Sequence, residues 1–284
     1  RCPGERSLFT LSVDIKSTTM IEELTRDGIR EGFRPNFFGI LASPRRSGKS
    51  TLLKYLLSQM QPKRFVKVYI FSPTAHLQKD LFNFGGQIIT PTKDTFGQQL
   101  RALIEYQRDR IENGKQVGEV LVIFDDVFSS SQRGFGVGAV SSALEIIGSR
   151  GRHVKIASLL LAQRITSVSP SIRSQADVLI SFYPRTEAQR ESLIRDFLSR
   201  ENTGTRRQTR ERAAAVMEEV FRESPYRALV VFPDRTGRTL EDVTRWVEAP
   251  KRQKKFTMRL AQITDEVEEG PVEEMTKASY DFMY

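Results

Sequence analysis

The chain has 284 residues, 39% of them hydrophobic and 28% charged, which is enough for one large α/β domain with its own core and appendages. Its longest apolar runs, such as Ile156–Ala162, are too short to span a bilayer. The single cysteine, Cys2, excludes an internal disulfide framework and fits a reducing compartment. The 44 Lys plus Arg against 35 Asp plus Glu leave a net charge of +9, an excess that favours a polyanionic partner, most commonly nucleic acid.

Two histidines, His76 and His153, leave oxygen atoms as the expected ligands of any metal. No signal peptide is expected from the opening residues. Because the first residue is Arg1 rather than Met, the natural N-terminus is expected upstream.

In chain order, FTLSVDI (9–15) alternates as a half-buried strand does. PNFFGILAS (35–43) is a continuous apolar run, the pattern of a strand buried on both faces. Leu52, Leu53, Leu56, Leu57 and Met60 then recur at helical spacing, and Pro62 closes that helix. RFVKVYIFSP (64–73) is the second apolar strand.

Thr95 and Gln98 predict a capping box for a helix with Leu100, Leu103, Ile104 and Ile111 on one face, ending near Gly114. EVLVIFDD (119–126) is the third buried strand, followed by a Ser/Gly-rich loop and a helix through Leu144 and Ile147. VKIASLLLAQ (154–163) and DVLISFY (177–183) are the fourth and fifth strands.

Thr186 with Gln189 caps a helix through Leu193 and Phe197, another helix is expected over 210–223, and RALVVFP (227–233) adds a late strand. This alternation predicts an α/β fold with a mostly parallel central sheet flanked by helices. The tail carries a basic run, KRQKK (251–255), and an acidic one, DEVEEGPVEE (265–274), expected to form a solvated or loosely docked extension.

One stretch carries chemistry. SPRRSGKS (43–50) leaves a buried strand and opens an amphipathic helix, the setting in which a phosphate-binding loop works. Backbone N–H groups there point inward, and the helix start adds about half a positive charge.

Gly48 lets the backbone approach phosphates, Lys49 can reach the β- and γ-phosphates of ATP, and the Ser50 hydroxyl can take one Mg²⁺ position. Ser43, Arg46, Ser47 and Thr51 complete the expected nucleotide contacts. Ser43 stands where the usual pattern has glycine, a substitution expected to cost modest strain.

A triphosphatase also needs carboxylates at the end of a neighbouring strand. Asp125 is expected to hold Mg²⁺ through water, and Asp126 to orient or deprotonate the attacking water.

The segment GRHVKIASLLLAQRITSVSPSIRSQADVLISFYPRTEAQ (151–189) resembles the FtsK–HerA superfamily of DNA-pumping ATPases. In look it is closest to the genome-packaging ATPases of poxviruses, other large DNA viruses and virophages. Those proteins share a phosphate loop, a strand ending in two acids, an arginine-initiated strand ending in glutamine, and a short "IR" or "IK" segment. Here each follows in that order over roughly 37–199.

The resemblance implies a P-loop NTPase fold of the RecA/FtsK kind, with 1–32 as an N-terminal strand and connector, 33–248 as the ATPase domain and 249–284 as a charged extension. It implies that Gln163 is a polar sensor and that Arg152, with Arg150 as its rival, is an arginine finger donated to a neighbouring subunit's ATP. Ser43 departs from the family's first glycine.

The resemblance further implies a pentameric or hexameric ring, double-stranded DNA, a capsid or portal vertex, and a place in the virion or the host cytoplasm's viral factory, the nucleus remaining open. Arg133 in the glycine-rich loop, Arg173, Arg206 and Arg207 are the expected DNA contacts, because a ring motor grips phosphates without reading sequence. Three rival readings stay open: a helicase or conjugation-type pump, a P-loop kinase of small molecules, and a non-hydrolysing nucleotide-binding scaffold.

Overall fold

A computed structural model describes residues 21–74, 84–128, 137–199, 205–235, 239–251 and 256–262. The alternating stretch 9–15, the loop 129–136 with Arg133, and the acidic run 265–274 lie outside the described residues.

The strands are β1 (Phe38–Ala42), β2 (Phe65–Phe71), β3 (Gln87–Ile89), β4 (Glu119–Asp125), β5 (Ile156–Ala162), β6 (Val178–Ser181), β7 (Arg227–Val231) and β8 (Thr244–Glu248). They form an eight-stranded sheet in the order β3-β2-β4-β5-β1-β6-β7-β8. The first six pair in parallel. The last two pair antiparallel, β7 against β6 and β8 against β7.

The helices are α1 (Arg26–Gly32), α2 (Lys49–Gln59), α3 (Lys93–Glu112), α4 (Val137–Arg150), α5 (Pro170–Ser174), α6 (Glu187–Leu193), which runs on as a π turn over Ile194–Leu198, α7 (Arg206–Arg222) and α8 (Leu240–Val243).

Side chains alternate across a strand, so each apolar run feeds two cores at once. Ile40, Val122, Phe124 and Leu160 pack with α3, α4 and α7 through residues such as Leu103, Leu144 and Val216. Leu41, Leu121, Ile123 and Leu159 pack on the other face with Leu52, Leu53 and Leu56 of α2. Parallel pairing then fixes where chemistry can sit. Ala42 of β1 lies opposite Ala162 of β5 and Ser181 of β6, and Asp125 of β4 opposite Leu161. The strands therefore end together on one edge.

Several expectations need correction. The capping box of α3 is one turn earlier, Thr92 with Thr95; both threonines are competent caps, and helix packing selects the longer helix. Ile111 of α3 is 39% exposed, beyond the last turn that the sheet covers. Helix α7 starts at Arg206 rather than residue 210, because Thr205 and Gln208 cap it reciprocally. The short elements α1, β3, α5 and β8 have no signal in the hydrophobic periodicity.

Part of the C-terminal extension, 256–262, lies against the α2 face. Phe256, Met258 and Leu260 pack there, and the Met258 and Ala261 amides donate to the carbonyls of Phe84 and Phe65.

Candidate active site

The chain leaves β1 through Ser43 and turns into α2 by way of two left-handed residues, Arg46 (φ 63°) and Gly48 (φ 93°). Gly48 is the N-cap residue of α2, and no side chain caps the helix there. The amides of its first turn are therefore open to an anion.

Ser43 is buried and does not take a left-handed conformation. Its hydroxyl meets the Ser47 hydroxyl and donates to the Pro44 carbonyl, to which Ser47 also donates at 2.8 Å. Serine thus closes the loop by hydrogen bonds without the backbone strain expected for it. Ser50 and Thr51 follow in the first turn of α2.

Lys49 reaches across the edge to the strand that ends in acids. Its Nζ donates to Asp125 Oδ1 at 3.0 Å and lies 3.7 Å from Asp126 Oδ1. Asp125 is 1% exposed. Burial pushes its carboxyl above the usual range, the Lys49 charge opposes this, and the Asp126 charge adds to it. A hydrogen bond with Ser72, at the end of β2, also favours its charged form.

Asp126 leaves the strand at φ 53°, a conformation that aspartate tolerates better than most residues and that is concentrated at functional sites. Gln163, just past β5, donates from Nε2 to Asp126 Oδ1 at 3.0 Å and accepts from Arg45 Nε at 3.3 Å. A phosphate loop, two carboxylates and a carboxamide are thereby joined by direct contacts.

The donors fit a Mg²⁺–nucleotide. Asp125, Asp126 and the Ser50 hydroxyl offer oxygen, and among the described residues no three His, Cys, Asp or Glu side chains form a closed cage. Mg²⁺ is typically held in this way, by one or two carboxylates together with waters and substrate phosphates.

Arg45, Ser72 and Arg185, whose Nη2 lies 3.4 Å from the Arg45 carbonyl, were not expected from the sequence. Arg45 occupies a variable position of the loop motif, and the other two are distant in the chain.

The expected arginines lie elsewhere. Arg152 sits at the opposite edge, a strand length of about 20 Å away, paired to Asp177 at 3.2 Å and 45% exposed. Arg150 is exposed at the end of α4. Arg206 and Arg207 are exposed in the first turn of α7, with Arg207 paired to Glu211.

Arg173 is corrected outright as a DNA contact. It is 4% exposed, pairs with Asp196 at 2.7 Å and donates to the carbonyls of Ile165 and Val168. It ties α5 to the π turn and presents no charge to a ligand.

Comparison with known proteins bears on the same elements. The genome packaging NTPase B204 from Sulfolobus turreted icosahedral virus 2, in complex with sulfate, is 17% identical over 75% of this chain and 96% of that one, with a TM-score of 0.51. The same protein in complex with AMPPCP gives 16% identity, 75% and 97% coverage and a TM-score of 0.49. The pCW3 conjugation coupling protein TcpA, monomer form with ATPgS, gives 15%, 76% and 60%, and 0.48. No curated protein matches the chain.

The mostly parallel α/β sheet, with these side chains gathered on one edge, puts the chain in the fold class of the B204 structure. Within that class the chain belongs to the family described as Poxvirus A32 protein, whose model matches residues 29–229.

Proposed function

We propose that this protein is an ATP-driven translocase that packages double-stranded viral DNA into a capsid, working as a homo-oligomeric ring with Mg²⁺ as cofactor. The observation that carries the reading is the contact chain from Lys49 through Asp125 and Asp126 to Gln163. The family and the fold of B204, itself a genome packaging NTPase, support it.

In this reading 33–248 is the ATPase domain, and Ser43, Arg46, Ser47, Gly48, Lys49, Ser50 and Thr51 surround the phosphates. Ser50 and Asp125 would hold Mg²⁺, which when bound neutralises phosphate charge. Lys49 exchanges its carboxylate partner for phosphate oxygens. Asp126, oriented by Gln163, accepts a proton from the water that attacks the γ-phosphorus as the bond to the β–γ bridging oxygen breaks.

Arg152 faces away from its own site and would serve the neighbouring subunit's ATP. The net charge of +9 suits a grip on DNA phosphates, and Arg133, Arg206 and Arg207 remain the proposed contacts. Among the described residues no helix is long and apolar enough to cross a membrane. We place the protein in the virion or in the cytoplasmic viral factory, with capsid or portal as partner.

The test is ATP hydrolysis at low salt, with and without double-stranded DNA, for wild type, Lys49→Ala and Asp126→Asn. DNA should raise turnover. Both variants should lose it by about 10² to 10⁴, and Asp126→Asn should still bind ATP. Binding without turnover in the wild type would favour a nucleotide-binding scaffold. Strand separation coupled to turnover would favour a helicase.

A further inference from the structure

Lys49 of the phosphate loop turns toward Asp125 and Asp126 at the end of β4, so in the nucleotide reading the reacting phosphate end points to the β4–β5 side. The base must therefore leave on the other side, over β6 and β7. Two of the four large apolar side chains that are exposed among the described residues stand there, Tyr226 at 55% and Tyr183 at 46%. They reach this edge for a topological reason. β6 ends at Ser181 beside Ala42 of β1, and antiparallel β7 begins opposite that end, with Leu229 facing Ser181.

Tyr226 is close to the loop itself. Its ring carbon Cδ1 lies 3.6 Å from where a Cβ on Gly48 would stand. The turn that carries it is braced: Ser224 Oγ accepts from the Tyr226 amide at 3.2 Å and donates to Glu248 Oε1 at 2.9 Å. The next residue, Arg227, lies over the Trp246 ring at 3.9 Å. Tyr183 is held edge to face on Phe221 at 5.5 Å, and its hydroxyl accepts from Arg190. An aromatic left in water on a fixed turn beside a phosphate site is a preorganised surface for another flat ring.

Resting on the nucleotide reading of the loop, we infer that Tyr226 is the stacking platform for the purine base of the bound triphosphate, with Tyr183 on the same edge. Stacking uses the π face that every base has, so Tyr226 contributes affinity for ATP and GTP alike and discriminates little between them.

Titration calorimetry on the full chain with Mg²⁺ tests this, using ATP, GTP and inorganic tripolyphosphate against wild type, Tyr226→Ala and Tyr226→Phe. Tyr226→Ala should weaken ATP and GTP by about tenfold and leave tripolyphosphate unchanged, and Tyr226→Phe should match wild type. Unchanged ATP affinity in Tyr226→Ala would overturn the platform, as would an equal loss of tripolyphosphate, which would mean a disturbed loop. Failure of wild type to bind even tripolyphosphate would instead bring down the phosphate-loop reading, and the platform with it.

Discussion

The two edges of the parallel sheet use similar side chains to opposite ends. At the edge where the strands finish, Asp125 and Asp126 share a lysine, a single flexible cation that can move to a phosphate. At the edge where they start, Asp177 accepts from the Phe38 amide at 2.7 Å and from Arg152, and Glu119 accepts from the Asn36 amide and from Arg64 Nε and Nη2 at 2.8 and 2.9 Å. Burial raises the Asp177 carboxyl much as it raises Asp125, and there a backbone amide foremost, then Arg152, opposes it. The acids of the starting edge each accept from a backbone amide, which a ligand cannot carry away. Those of the finishing edge are held by something a ligand can displace. That difference supports the finishing edge as the proposed reactive one, although both are acidic and partly buried.

Arg152 is the exception on the quiet edge, since 45% of its side chain remains exposed. The largest expected effect is there. Arg152→Ala should lower DNA-stimulated turnover by about 10³ or more if it serves a neighbour's ATP, with little change in melting midpoint because the arginine is half solvated and Asp177 keeps the Phe38 amide. Activity that survives the substitution at saturating protein would remove the finger from this edge.

Next comes the clamp. Arg64 also donates to the carbonyls of Phe33 and Arg34, both at 2.6 Å, so Arg64→Ala leaves Glu119, only 11% exposed, without its cation. A loss of about 3 to 5 kcal/mol in urea unfolding is expected. A loss near zero would show that water replaces the guanidinium and that this edge is softer than its geometry implies.

The smallest effect sharpens the contrast on the surface. Arg207, paired among the described residues along its own helix with exposed Glu211, should leave the melting midpoint unchanged on mutation to Ala and lower only the salt-dependent affinity for DNA. A stability change would assign it to the fold.

The finishing edge was legible in the sequence because its parts are linear words. SGKS (47–50) sits between a buried strand and an amphipathic helix, and IFDD (123–126) and LLAQ (160–163) end apolar runs. The acids and the glutamine stand out as polar groups that end strands buried on both faces. Arg173 was not legible. As a string, SIRSQ (171–175) reads as an exposed basic segment, and only the return of the π turn brings Asp196 to 2.7 Å. The same holds for Arg45, whose bond to Gln163 joins residues 118 apart.

By itself, then, the sequence determined the class of fold, the phosphate loop and the acids beyond it, because periodicity and strand-end polarity are local properties of the chain. Tertiary structure alone decided which charges are spent and which are available. A carboxylate or guanidinium is defined by its partners, and those partners come from strands and turns that meet only when the sheet is assembled.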